Sequence, residues 1–171
     1  MMRQPAVTIR QLGAEDAGGF RALRLKALVS APTAFASSYE EDAALTDEML
    51  RARLVAAPSA VFAAFAGEEM VGMAGFAALS GPKRRHRGLL WGVFVEADQR
   101  GRGIARRLVE QIVAHARQHV LVLEAGVTSG NDSARGLYES LGFRHYGTLS
   151  KALRIDDAFY DEVLLSLDLA E

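Results

Sequence analysis

The sequence predicts an α/β (α+β) domain: a mixed, mostly antiparallel twisted sheet of about seven strands with four helices, in the order βααβββαβαββ. Two largely apolar runs, LLWGVFV at 89–95 and VLVLEAGV at 120–127, the second broken only by Glu124, read as strands buried on both faces. Between them, segment 99–116 places Ile104, Leu108 and Ile112 every fourth residue, with Ala105, Val109 and Val113 alongside, which is one stripe of an amphipathic helix. Strand, helix, strand in that succession makes a right-handed crossover between parallel neighbours, while hairpin patterns on either side require antiparallel pairing.

The remaining elements follow in order. AVTIR at 6–10 alternates as a short strand does. A helix from about 15 to 29 carries Phe20, Leu23, Ala27 and Leu28 on one face, and SAPTAFASSYEED at 30–42 reads as a loop. Thr46 is placed to N-cap a second helix bearing Leu50 and Leu54. Residues 60–79 form two apolar runs joined at Gly67-Glu68-Glu69, a hairpin, and SGPKRRHRG leads as a polar loop into strand 89–95. After the crossover, 131–141 is a short helix with a stripe of Ala134, Leu137, Tyr138 and Leu141, ended by Gly142. Two final strands turn at Asp156-Asp157.

Composition narrows the function. The 171 residues fit one domain, 1–171, with 20 basic against 21 acidic side chains, so the basic excess of a nucleic-acid binder is absent. Without cysteine there are no disulfides, thiolate metal sites or cysteine nucleophile. The four histidines lack the spacing of a helical zinc site, and no metal is expected. No stretch has the length of a signal sequence or membrane span, so a cytoplasmic protein without membrane contact is expected.

Glycine is a weak helix former, yet Gly101 and Gly103 open the 99–116 helix among Arg100, Arg102, Arg106 and Arg107. A helix N-terminus carries unpartnered N–H groups and partial positive charge, so small residues there let an anion approach the backbone. A P-loop needs Lys-Ser or Lys-Thr after its last glycine, where this chain has Ile104-Ala105. A dinucleotide fingerprint fits better, with Glu124 near the ribose-binding position, but Arg106 stands where its third glycine belongs. NDSARGLYESLGF at 131–143 adds a second signal that a dinucleotide fold does not use: Asn131 is placed as a helix cap, and Tyr138 shares its face two turns on.

Together these segments resemble the GNAT-type N-acetyltransferases. RGRGIA at 100–105 matches the family's R-x-x-G-x-G/A acetyl-CoA motif, and 131–143 matches N-x-x-A-x-x-L-Y-x-x-L-G-F at every specified position. The resemblance implies that strands 89–95 and 121–126 splay around the pantetheine arm of acetyl-CoA, the co-substrate. Its pyrophosphate would rest on the amides of Arg100, Gly101, Arg102, Gly103, Ile104 and Ala105. Backbone groups of Val93, Phe94 and Val95 would hold the pantetheine amides and polarise the thioester, Asn131 would bond to the cofactor, and Tyr138 would point at the sulfur.

The chemistry is attack of a neutral primary amine, from a small molecule or a peptide, on the thioester carbonyl. Tyr138 suits the general acid: a phenol with a reference pKa of about 10 can protonate a thiolate of about 8.5. Three candidates for the base stand open: His86 within KRRHR, the pair Glu40 and Glu41, and a water chain. KRRHR also offers contacts for an acidic acceptor or the ribose phosphate. Trp91, Phe94 and Phe143 read as core. The acceptor, unidentified, would sit against the first two helices, the 30–45 loop and the final strands. Exposed sheet edges leave room for a homodimer. A non-catalytic acyl-CoA-binding or regulatory module on the same fold is the alternative function, and an NAD-dependent oxidoreductase the third.

Overall fold

A computed structural model describes residues 5–170; residues 1–4 and 171 of the expected 1–171 domain lie outside it. Seven strands form one sheet: β1 (Val7–Gln11), β2 (Ala60–Ala66), β3 (Glu69–Ala78), β4 (Arg87–Val95), β5 (Val122–Thr128), β6 (Arg144–Ile155) and β7 (Ala158–Asp168). Their spatial order is β1-β2-β3-β4-β5-β7-β6, and β4–β5 is the parallel pair in an otherwise antiparallel sheet. The crossover between β4 and β5 runs through α4 (Ile104–Ala116).

There are five α-helices where the sequence predicts four: α1 (Ala17–Ser30), α2 (Tyr39–Ala43), α3 (Asp47–Leu54), α4, and α5 (Asp132–Ser140). The additional one, α2, lies in the segment expected to be a loop. A capping box starts it: the Glu41 N–H donates to Ser38 Oγ (3.2 Å), and the Ser38 N–H donates to Glu41 Oε2 (2.7 Å). Five residues are too few to show an apolar period, so only the Ser-x-x-Glu signal marks this helix in the sequence.

The two faces of the sheet are covered unequally. On one, α4 buries Ile104, Leu108, Val109, Ile112 and Ala116 against β2, β3 and β4. That core continues through Leu123, Val127, Tyr138 and Leu165 under β5, α5 and β7. Burying a leucine or isoleucine side chain contributes about 1.5–3 kcal/mol, which gives this amphipathic stripe its fixed orientation. On the other face, α1 and α3 bring Phe20, Leu23, Leu50 and Leu54 onto Val61, Met73 and Phe94. No residue of β5, β6 or β7 belongs to that second cluster, so the sheet there is left for a cavity.

The sheet opens between β4 and β5. They pair from Arg87 with Val122 as far as Leu90 with Ala125, and no further. On its other side β4 pairs Trp91 with Gly75 and Phe94 with Met73, so Gly92 and Val93 together oppose the single Ala74. This is a β-bulge, and Gly92 occupies it at φ +65°, a left-handed conformation favouring glycine. The extra residue bends β4 away, while β5 stays paired to β7 through Thr128. A gap in the sheet results.

Candidate active site where the sheet parts

The gap is the mouth of a cleft of about 620 Å³. Trp91 to Val95 form one wall, Gly126 to Thr128 the other, and the first residues of α4 close one end. Beyond the bulge, backbone groups of β4 and β5 no longer pair with each other, so both strand edges offer donors and acceptors to an extended guest.

At the closed end the chain turns through Gly101 (φ +76°) and Gly103 (φ +72°), with Gly103 the N-cap of α4. Nothing lies within 4 Å of where a Cβ would sit on either glycine. Backbone conformation rather than crowding therefore requires glycine here: an L-residue held left-handed costs about 1–2 kcal/mol. The turn precedes the free N–H groups at the start of α4, a concavity suited to an anion.

The four arginines divide into two roles. Arg102 donates to the Gln99 side chain and to the Pro5 carbonyl (3.0 Å), and Arg107 to the Val7 carbonyl (3.1 Å), tying α4 to the start of the chain. Arg100 and Arg106 line the cleft. Arg100 Nε donates to the Val95 carbonyl (3.1 Å), and Arg106 donates to Ser140 Oγ at the end of α5 (2.7 Å).

Helix α5 supplies the far wall. Asn131 caps it, with Oδ1 accepting from the Ala134 N–H at 3.2 Å, and lines the cleft as well. One apolar stripe of α5 points into the core and carries Tyr138 with it, 6% exposed, its ring centroid 5.7 Å from that of Phe143. Burial pushes its phenol well above the ordinary value, so the hydroxyl stays protonated.

A second cavity, about 690 Å³, adjoins the cleft and shares Ala34, Leu90, Trp91, Gly92 and Gly126 with it. It occupies the sheet face that α1 and α3 leave open. Its floor carries Glu124 and Glu162, and Arg24 of α1 and Arg53 of α3 stand on its sides. Arg24 is almost fully buried; its Nε donates to the buried Asp42 carboxylate at 2.7 Å, while its ring neighbours are Phe35 (4.8 Å) and Trp91 (5.5 Å). Glu124 pairs with Arg87 at 2.6 Å and accepts from the Tyr146 hydroxyl at 3.1 Å. Burial and the Glu124 carboxylate raise the pKa of Tyr146. Among the described residues, no group of three His, Cys, Asp or Glu is placed to hold a metal, and no helix is long and apolar enough to cross a membrane.

A parted parallel pair, a glycine turn at a helix start and an Asn-capped helix presenting a tyrosine coincide with a family model, acetyltransferase (GNAT) family, that matches residues 25–143. The chain belongs to this family. Among curated relatives of this family member, the N-alpha-acetyltransferase RimI of Mycobacterium tuberculosis is 39% identical over 37% of this chain and 39% of its own length. The L-2,4-diaminobutyric acid acetyltransferase of Streptomyces avermitilis is 30% identical over 47% and 46%. In these matches the chain spans less than half the length of the relatives. The structure of yncA from Salmonella typhimurium with its cofactor acetyl-CoA superposes with a TM-score of 0.83 at 21% identity, over 96% of this chain and 94% of that one. The Ribosomal-protein-alanine N-acetyltransferase of Brucella melitensis gives 0.79 at 25%, over 94% and 99%. These likenesses establish the GNAT fold.

Several candidates lie elsewhere in this GNAT domain. His86 sits in the turn before β4, exposed, against Arg85, Arg117 and His119, at the opposite end of the strand from Val93 to Val95. Seven residues of extended chain from His86 to Val93 span roughly 23 Å, so His86 does not reach the cleft as a base. The rest of KRRHR shares that end, which removes it from a phosphate at the α4 turn. Glu40 and Glu41 are exposed on α2 and line neither cavity, and Glu41 is engaged in the α2 cap. Phe94 and Phe143 are core. Trp91, expected there too, lies half-buried on the wall between the two cavities. In the sequence Glu124 shows only the position of a ribose-binding acid, and Glu162, Arg24 and Arg53 carry no signal, because single charged residues at scattered positions form no motif.

Proposed function

We propose that this GNAT domain transfers an acetyl group from acetyl-CoA to a primary amine by direct attack. The supporting observation is that one cleft joins the backbone edges freed by the β4 bulge, the α4 glycine turn and the buried Tyr138. The residues present fit the co-substrate: the amides from Arg100 to Ala105 hold the pyrophosphate, Arg100 and Arg106 add charge, and Asn131 contacts the cofactor. The edge at Val93, Phe94 and Val95 takes the pantetheine amides and donates an N–H to the thioester carbonyl.

When bound, the thioester supplies an activated acyl carbon. The amine approaches from the second cavity through Trp91, Gly92 and Gly126, and a fixed N–H of β4 stabilises the oxyanion. Tyr138 then protonates the departing thiolate. Burial raises the pKa of the phenol, and it raises that of a thiolate formed beside it in the same surroundings, so the transfer stays matched. With His86 distant, proton removal from the amine falls to the carboxylates of the acceptor cavity and water.

Thiol release from acetyl-CoA on addition of an amine panel tests the reading, with release expected for at least one amine. Binding of acetyl-CoA without release for every amine would favour a non-catalytic acyl-CoA module. A crystal soaked with acetyl-CoA that placed the pyrophosphate away from 100–105 would overturn the assignment of the cleft.

A further inference from the structure

We propose that the second cavity takes a small amine that also carries a carboxylate, with the carboxylate on the Arg24–Arg53 wall and the ammonium on Glu162. The inference rests on the acetyl-transfer reading for its chemistry, but on the cavity alone for its specificity.

The charges in the cavity cancel in part. Glu124 is matched by Arg87 and further held by Tyr146. Arg24 is matched by Asp42, but only through Nε. Its Nη1 is buried with no hydrogen-bond partner among the described residues, and lies 3.3 Å from where a Cβ of Gly92 would be. Arg53 has no carboxylate partner among the described residues, and its guanidinium rests 5.3 Å from the centre of the Trp91 ring. Glu162 likewise has no ion pair or side-chain hydrogen bond among them. Its carboxylate lies directly over Gly126, occupying the space a Cβ there would need.

Two guanidinium groups converging on one indole, the inner one with an unused N–H edge, make a carboxylate site. Arginine forks match the planar carboxylate in geometry and charge. The same cavity holds Glu162, a carboxylate without a partner among the described residues, at Gly126 where the sheet parts and the cleft begins. A simple amine would satisfy Glu162 and leave Arg53 without an anion and Arg24 Nη1 without an acceptor. A peptide amino terminus has no α-carboxylate beside its amine and would do the same unless its first side chain is acidic. A molecule bearing both groups satisfies each wall, and about 690 Å³ is the size of a small-molecule site. An amino-acid-like acceptor also puts its amine on the cleft side of the cavity, beside Gly126.

The test compares each protein amino acid with its decarboxylated amine, in wild type and in Arg53→Gln, an exposed position whose change leaves the core intact. Reading the ratio of kcat/KM for the two acceptors within each protein cancels any general loss of activity. Wild type is expected to prefer the amino acid by about tenfold or more, and Arg53→Gln to lower that ratio by about tenfold, through KM. Equal use of both acceptors by wild type, or the same ratio in Arg53→Gln, overturns the inference. Calorimetric titration of the CoA-loaded protein with the same pairs reads the preference without turnover. Absence of thiol release with every acceptor would therefore sink the acetyl-transfer reading while the titration still decides this one: tighter binding of the amino acid sustains it, and equal binding ends it.

Discussion

Tyr138 combines a buried ring with a protonated hydroxyl at the cleft, and the two properties predict separable effects. Tyr138→Phe keeps the ring against Phe143 and removes only the proton donor, so kcat for thiol release should fall about 10²-fold while acetyl-CoA affinity changes little. Stopped thiol assays with parallel binding measurements check this. The raised pKa of Tyr138 also has a stability consequence. A neutral phenol favoured by the folded state stabilises fully below the unfolded value of 10.0, and that contribution declines as pH rises toward the folded value. Wild type should lose melting temperature above pH 10 more steeply than Tyr138→Phe, and identical alkaline slopes would show that the phenol is not held in this way. Asn131, by contrast, is legible in the sequence as a cap, and it lines the cleft because the cap of α5 stands three residues beyond β5.

At the level of elements, two glycine positions set the geometry of the site. Gly103 begins α4 at positive φ with open space where a Cβ would go, so Gly103→Ala strains the backbone without a clash. A loss of about 1–2 kcal/mol in unfolding free energy is expected, with a weaker grip on acetyl-CoA because the N–H groups are re-aimed. Denaturant titration and binding measurements read the two. Amide exchange should also slow at 100–105 when acetyl-CoA is added to wild type. Gly75 acts differently. The Trp91 indole lies over it, with atoms 2.1–2.6 Å from where a Cβ would stand. Gly75→Ala must displace the indole from the wall between the cavities, at about 1–3 kcal/mol, and should raise the acceptor KM more than the acetyl-CoA KM. Equal changes in the two constants would argue that Trp91 does not shape the acceptor cavity. The glycines at 101 and 103 stood out in the sequence because they interrupt a helix pattern. Gly75 did not, since its partner is sixteen residues away on the next strand.

For the molecule as a whole, the decisive opening of the sheet lies between β4 and β5 beyond Leu90 and Ala125, where the bulge bends β4 away. A ligand lodged there touches β4, β5, α4 and α5 at once and binds only the folded chain. Acetyl-CoA at 100 times its Kd should therefore stabilise the protein by about 2.7 kcal/mol, read as a rise in melting temperature that grows with ligand concentration. The expected homodimer would use the edges β1 and β6, the latter with Tyr146 and Leu149 exposed, and sedimentation of the purified chain tests it.

Local pattern determined the seven strands and four of the five helices, the parallel pair, the capped starts of α3 and α5, and the glycine turn, since each depends on residues within a few positions of one another. Tertiary structure alone decided which charges meet. Arg24, Arg53, Glu124 and Glu162 come from four elements, and only the unequal covering of the sheet brings them to one cavity. It also took His86 away, because a strand adjacent in sequence carries its two ends far apart in space.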